Sequence, residues 1–325
     1  MKAIVTGVAG FIGSKLAEEL INNGYQVTGI DCFLDYYSRD IKENNLKNLM
    51  DQKGFTFIEE NILNLDLVEL FSNIDYVFHQ AAQAGVRASW GEDFQIYTDN
   101  NVMATQQMLE AAKVSNIKKF IYASSSSVYG DTDNLPMKEN NRLQPVSPYG
   151  VSKLAAENLC YLYWKNFQVP TLSLRYFTVF GERQRPDMAF HIFIKAILNN
   201  EFLIIYGDGK QSRNFTHVDD IVKANILAAE SKYEGEVFNI GGDGERIVLD
   251  DAITLMENII GKKVERIYHD VAKGDVKHTS ADCSKAVNLL GYDPEVGFIE
   301  GLEREIEWLQ KMNADKDMLG EIYNV

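Results

Sequence analysis

The sequence predicts an α/β chain, a doubly wound parallel sheet with a smaller C-terminal α/β lobe. Three observations predict it. Short apolar segments alternate with amphipathic helical ones through the first half of the chain. Those segments are hydrophobic almost throughout, as expected of strands covered on both faces. A glycine-spaced turn joins the first of them to the first helical segment.

Residues 3–6 read as the first strand and 11–23 as the first helix, with Gly24 suited to the position just past its end. Strands follow at 25–30, Phe55–Glu59, Tyr76–His79, 120–123 and 171–175, with helices between them. After Arg175 the pattern loosens, with loops around Gly181–Pro186 and Gly207–Lys210. A helix at 218–229 and a strand at Glu236–Ile240 return to the first lobe. Helices at Leu249–Ile260 and 301–312 belong to the second. The division expected is 1–175 plus about 214–241 for a dinucleotide-binding domain, and about 176–213 plus 242–325 for a ligand-binding lobe. Internal repeats, low-complexity tracts and long linkers are absent from the sequence.

With 325 residues, 46% hydrophobic and 24% charged, the chain can bury a sizeable core. A formal net charge of −15 argues against nucleic acid, whose phosphates need Lys and Arg. Cys32, Cys160 and Cys283 are far apart and odd in number, which argues against a disulfide framework and fits a reducing cytoplasm. No apolar run is long enough for a membrane span, and the N-terminus reads as a strand rather than a signal peptide.

In Thr6-Gly7-Val8-Ala9-Gly10-Phe11-Ile12-Gly13 the glycines are spaced three and three. The first permits a tight turn, the second lets a pyrophosphate approach the backbone, and the third lets the helix pack on the strand. The helix start then offers unpaired N–H groups to phosphates. Asp31 closes the second strand and is placed to accept hydrogen bonds from an adenosine ribose. Its charge opposes a 2′-phosphate, and Cys32 and Phe33 supply no arginine, so NAD is preferred to NADP.

Tyr149 and Lys153 lie four residues apart on one face of a helix that follows Ser147-Pro148. A free tyrosine titrates at about 10. A neighbouring ammonium favours the phenolate and makes a general base nearer working pH. The serine run Ser124-Ser125-Ser126-Ser127 follows the fifth strand, and ligands of open α/β sheets bind at that carboxyl end.

These ordered motifs, spread over the whole chain, resemble the extended short-chain dehydrogenase/reductases of the NAD-dependent epimerase/dehydratase family. The resemblance implies a Rossmann-like first domain and a nucleotide-sugar lobe. It implies that Ser125 bonds the sugar 4-hydroxyl, that Tyr149 removes its proton, and that Lys153 holds the nicotinamide ribose and tunes Tyr149. Further cofactor contacts it implies are Phe11, Ile12, Ala81, Gln83, Asn100 and Tyr176, with Asn61-Ile62 at the adenine. It also implies a homodimer built on helices 96–113 and 149–166 of each subunit.

Related dehydratases carry an Asp-Glu pair after the catalytic hydroxyl residue, and related decarboxylases a glutamate. Here Ser126 and Ser127 stand there, which favours simple 4-epimerisation. The segment Arg175–Phe190, with 31–37 and 81–87, is similar to that of UDP-glucuronate 4-epimerases. In that reading Arg185 pairs with the sugar carboxylate, helped by Ser126, Ser127 and Thr178. Such a clamp also protects the 4-keto intermediate, a β-keto acid, by holding the carboxylate out of the alignment that loses carbon dioxide. Tyr206 would flank the uracil, Arg213 would bind the pyrophosphate and Asp275 the uridine ribose. Ala272 stands where many relatives have a second phosphate-binding arginine, with Arg87 or Lys273 as substitutes. The enzymatic alternative is a UDP-glucose or UDP-N-acetylglucosamine 4-epimerase; the non-enzymatic one is a dinucleotide-binding regulatory protein. The five histidines show no metal-ligand spacing, and Asp219-Asp220 reads as the start of a helix.

Overall fold

A computed structural model describes residues 1–243 and 246–319, without the side chains of 314–319. Seven parallel strands form the central sheet. From one edge to the other they are Glu236–Ile240, Thr171–Tyr176, Lys119–Ser125, Tyr76–His79, Lys2–Thr6, Gln26–Asp31 and Phe55–Glu59. The order reverses direction at Lys2–Thr6, where the first crossover goes one way and the later ones the other. Such a switch point opens a crevice at the carboxyl ends of the strands. The fold is therefore the Rossmann-like doubly wound sheet that the alternation predicted.

Successive side chains of each strand enter opposite layers. Ala3, Val5, Phe78 and Ile121 pack with the helix Phe11–Asn22 and with Phe238 on one side. Ile4, Val77, Phe120 and Tyr122 pack with Met108, Leu109 and Tyr163 on the other. A separate apolar cluster joins Phe180, Phe190 and Phe215 to the helices Ala189–Asn199, Leu249–Ile260 and Phe298–Leu319. Phe190 stacks on Phe215 with ring centroids 4.5 Å apart. Short strand pairs border that cluster, Leu203–Tyr206 with Arg266–His269 and Ser212–Asn214 with Arg246–Val248.

Phe55–Glu59, Tyr76–His79, Glu236–Ile240 and Leu249–Ile260 coincide with the expected bounds, most others shift by a residue or two, and the helix expected at 301–312 runs Phe298–Leu319. The first real difference is the helix expected at 96–113. It is α-helical at Phe94–Tyr97, a π-helix over Thr98–Met103, and α-helical again at Ala104–Lys113. Hydrophobic spacing does not reveal one extra residue per turn. Among the described residues no helix is long and apolar enough to cross a membrane. All three cysteines are free thiols.

Candidate active site

The glycine turn is dictated by space. Gly7 has φ +67°, and a Cβ there would stand 2.8 Å from the Cα of Ala81. A Cβ on Gly13 would stand 2.2 Å from the Gly7 carbonyl oxygen, so the helix can lie against the turn only with glycine there. Gly10 caps the helix without any side-chain bond, which leaves its first N–H groups facing the crevice. Asp31 is fixed by the backbone: the N–H of Ala9 donates to one carboxylate oxygen at 3.0 Å and the N–H of Phe33 to the other at 2.9 Å. Burial pushes its carboxyl up, and these two bonds and the Lys42 charge oppose that push.

One cleft brings the expected cofactor residues together. Gly7, Gly10, Phe11, Ile12, Gly13, Asp31, Asn61, Ile62, Ala81, Gln83, Asn100, Tyr149, Lys153 and Tyr176 all line it, and so does Arg185. Two residues at or behind the cleft could not be read from local spacing. Lys42 reaches in from the helix Arg39–Met50, 4.6 Å from the centre of the Tyr37 ring, while donating to the Leu34 carbonyl. Asn101, in the π turn, bonds both backbone groups of Gln83, at 2.7 and 3.0 Å, and donates to the Ser152 hydroxyl at 2.9 Å. The π turn thereby ties the cleft loop to the helix that carries Tyr149.

That helix, Pro148–Phe167, begins with proline in its first turn and Ser147 as cap, whose hydroxyl accepts from the Gly150 N–H at 3.1 Å. Gly150 lets the helix start approach the serine run, since a Cβ there would lie 2.7 Å from the Ser127 carbonyl oxygen. The approach brings Tyr149 to Ser125. Burial pushes the Tyr149 phenol up, and the Ser125 hydrogen bond and the Arg185 charge pull it back. Lys153 lies one turn further along the same helix. Burial draws its ammonium down to about 7, with Cys160 and Glu157 opposing, and its Nζ lies 4.6 Å from the centre of the Tyr122 ring. One turn further on, Glu157 accepts from Ser124 at 2.6 Å and from both Nε and Nη2 of Arg175, at 2.9 and 2.6 Å. Buried Glu157 thus joins the tyrosine helix to the serine strand by a hydrogen bond and to the neighbouring strand Thr171–Tyr176 by an ion pair. Ser126 and Ser127 form the short turn after Ser125, whose hydroxyl accepts from the Ser127 N–H.

The substrate side is less compact. Arg185 forks onto Asp187, with Nε and Nη2 each 2.9 Å from a carboxylate oxygen. Thr178 lies between the strands Thr171–Tyr176 and Val179–Phe180, its carbonyl accepting from Thr216. Elsewhere Arg87 pairs with Asp275 at 2.7 Å and covers the Tyr206 ring at 4.2 Å. Arg213 donates to the carbonyls of Ser212, Val276 and Lys277. Burial lowers Arg213, and Asp275 and Arg87 both act on its charge, so these four side chains form one group.

Asp219 and Asp220 start the helix Val218–Glu230, as expected. Chain spacing did not foresee that Glu182, His217 and Asp219 come within 4.8 Å of one another in ligand-type atoms. Lys15 and Arg304 each bond both carboxylates, so the cluster is an ion-pair network. His79 is buried at a strand end between the hydroxyls of Thr6 and Thr105, a structural position.

Comparison with known proteins agrees with this geometry. The model of the NAD dependent epimerase/dehydratase family matches residues 3–241. The chain is 46% identical over 314 residues to a Bacillus subtilis protein named as an uncharacterized UDP-glucose epimerase, covering 96% of this chain and 99% of that one. It is 40% identical to a UDP-glucuronate 4-epimerase of Thermodesulfobacterium geofontis, over 94% of this chain and 95% of that one. The crystal structure of a Bacillus cereus UDP-glucuronic acid 4-epimerase in complex with UDP-glucuronic acid and NAD superposes with a TM-score of 0.93 at 47% identity, covering 96% of this chain and 100% of that one. On its motifs, its fold and its relatives, this chain belongs to the NAD dependent epimerase/dehydratase family.

Proposed function

We propose that this protein is an NAD-dependent UDP-glucuronate 4-epimerase, interconverting UDP-glucuronate and UDP-galacturonate. The observation that carries the reading is Arg185, which enters the same cleft as Tyr149 and the glycine turn. The cleft fits NAD: the glycines, where a Cβ would strike the neighbouring backbone, let the turn fold tightly against the helix start that faces the cleft, and Asp31 offers a carboxylate at the ribose position. Gly7, Gly10, Phe11, Ile12 and Gly13 would hold the phosphates, Asn61 and Ile62 the adenine, and Ala81, Gln83, Asn100, Lys153 and Tyr176 the nicotinamide half.

Bound NAD supplies reversible hydride acceptance at the sugar C4. Tyr149 takes the C4 hydroxyl proton and later returns it, and Ser125 bonds the same oxygen and holds it toward the phenol. The Arg185 charge favours the phenolate in a buried site, where such a charge acts strongly. Arg185, with Ser126, Ser127 and Thr178, binds the C6 carboxylate, and that charge-assisted contact contributes about 1.5–3 kcal/mol. With serines after Ser125, no carboxylate stands ready there for elimination or decarboxylation. Tyr206, Arg213, Asp275 and Arg87 hold the uridine diphosphate, Arg87 standing in for the arginine missing at Ala272. The division of labour follows 1–175 plus about 214–241 for the cofactor, and 176–213 plus 242–325 for the nucleotide sugar.

A homodimer fits the apolar side chains exposed on the two helical segments: Ile96 and Met103 on one, Val151, Tyr161 and Leu162 on the other. A cytoplasmic location fits the three free thiols. One relative's name favours a second reading, a UDP-glucose 4-epimerase on the same machinery.

The test is incubation of the purified protein, without added NAD, with UDP-glucuronate, UDP-glucose and UDP-N-acetylglucosamine separately, followed by proton NMR. Conversion of UDP-glucuronate alone supports both retained NAD and the Arg185 assignment. Conversion of a neutral sugar alone keeps the mechanism and ends the carboxylate assignment. No conversion of any, with NAD supplied, transfers the case to another nucleotide sugar or to a regulatory protein.

A further inference from the structure

Arg185 is not waiting with an open fork. Its Nε and Nη2 are both given to Asp187, two residues along the same loop, in the side-on bidentate geometry a sugar carboxylate would take. The Tyr36 hydroxyl donates to the second oxygen of Asp187 at 3.1 Å. Tyr36 reaches that oxygen because residue 85 is glycine: a Cβ there would stand 2.3 Å from the phenol oxygen. Tyr36 in turn belongs to the loop that follows Asp31 and lines the cleft. Asp187 is thus held against Arg185 from two sides, and its carboxyl stays ionised: burial pushes its pKa up, and Arg185 and Tyr36 outweigh that push.

We propose that Asp187 is an internal competitor for the substrate carboxylate: it occupies the Arg185 fork in the free enzyme and yields it when a hexuronate binds. The inference rests on the carboxylate role assigned to Arg185 above. Its physical logic is an exchange of one ion pair for another. The pair formed with substrate is offset by the pair given up with Asp187, so affinity for the acidic sugar is lower than an open arginine would provide. A neutral hydroxymethyl cannot make the exchange, because it would leave Asp187 paired and gain nothing. Asp187 therefore tempers affinity for the acidic sugar without touching the reacting atoms, and it keeps a cleft cation neutralised between turnovers.

The test is calorimetric titration of the holoenzyme and its D187N variant with UDP-glucuronate and with UDP-glucose. Asparagine keeps an acceptor for Tyr36 and removes the competing charge. Tighter binding of UDP-glucuronate in D187N, about three- to fivefold on the scale of a half-exposed ion pair, with UDP-glucose unchanged, is the expected result. D187E restores a competing carboxylate and returns the ratio of the two affinities toward that of the unmodified enzyme. Weaker UDP-glucuronate binding in D187N makes Asp187 a brace that aims Arg185 and overturns the proposal. Equal affinities in D187N and the unmodified enzyme overturn it as well, and so does equal tightening by D187N and D187E. The UDP-glucose titration on the same preparation corrects for any loss of folded protein. R185Q separates the two claims: if it leaves the ratio of the two sugars unchanged, the carboxylate role itself fails, whatever D187N does.

Discussion

At the glycine-turn end of the cleft, Asp31 is held by the backbone N–H groups of Ala9 and Phe33, whereas at the Arg185 end the charged side chains are held by other charged side chains. The first end is specified locally, by glycines that nothing larger can replace, and is set once the strand and helix form. The second is specified by pairs such as Arg87 with Asp275, 188 residues apart. Backbone-built sites are rigid and general; side-chain-built sites are exchangeable and selective. A common cofactor suits the former and a particular sugar suits the latter.

The largest expected effect lies where the two ends meet. Tyr149→Phe removes the proton acceptor and lowers kcat by about 10³-fold, while NAD stays with the purified protein. Loss of NAD together with activity would mean that the two ends are not separable. Gly13→Val attacks the backbone end alone, since its side chain would overlap the Gly7 carbonyl. The expected outcome is protein purified without NAD and destabilised by about 1–3 kcal/mol, read by cofactor release on denaturation and by a urea melt. Arg185→Gln attacks the other end. It lowers kcat/KM for UDP-glucuronate by about 10- to 100-fold and leaves cofactor content alone. A matching loss of NAD would show that the arginine serves the cofactor instead.

The smallest effect concerns what stands behind the Arg185 loop. Glu305 is fully buried; one of its oxygens accepts from the Gly181 N–H at 2.8 Å and the other lacks a partner. Burial raises its carboxyl well above the ordinary 4.5. The folded protein therefore binds a proton that the unfolded chain releases above that value, so this group costs stability increasingly as pH rises above 4.5. Glu305→Gln keeps an acceptor for Gly181 and cannot ionise. Its Tm should exceed that of the unmodified protein by about 2 °C at pH 7.5, with the gap closing toward pH 4.5. A gap independent of pH would mean that the carboxyl is not what titrates.

The same contrast explains what could be read before the structure. The sheet, the glycine turn, Asp31 and the Tyr149/Lys153 pair are local patterns, visible as period, spacing and punctuation. Lys42, Asn101, the bond of Tyr36 to Asp187 and the hub of Glu182, His217 and Asp219 with Lys15 and Arg304 are tertiary meetings, and no spacing within a segment announces them. The surroundings of Lys153 were hidden for a related reason. Its proximity to Tyr149 along the helix was visible, but the burial that lowers its ammonium depends on how the helix packs on the sheet beside Tyr122.

The π turn at Thr98–Met103 makes this part of the chain sensitive to number as well as to chemistry. A substitution there alters one contact. Deleting one residue would turn the i to i+5 hydrogen bonds of the segment into i to i+4 bonds between the same flanking groups, giving ordinary α-helix with its two flanks still in phase. Asn101, inside the turn, would be re-aimed and lose its bonds to Gln83 and Ser152, while Phe94 and Tyr97 in the flank would keep their faces. A one-residue deletion within 98–103 should therefore be tolerated better than one in the α-helix Ala104–Lys113, yet break the same tie to Gln83 that Asn101→Ala breaks. A deletion scan beside an alanine scan would measure that difference directly.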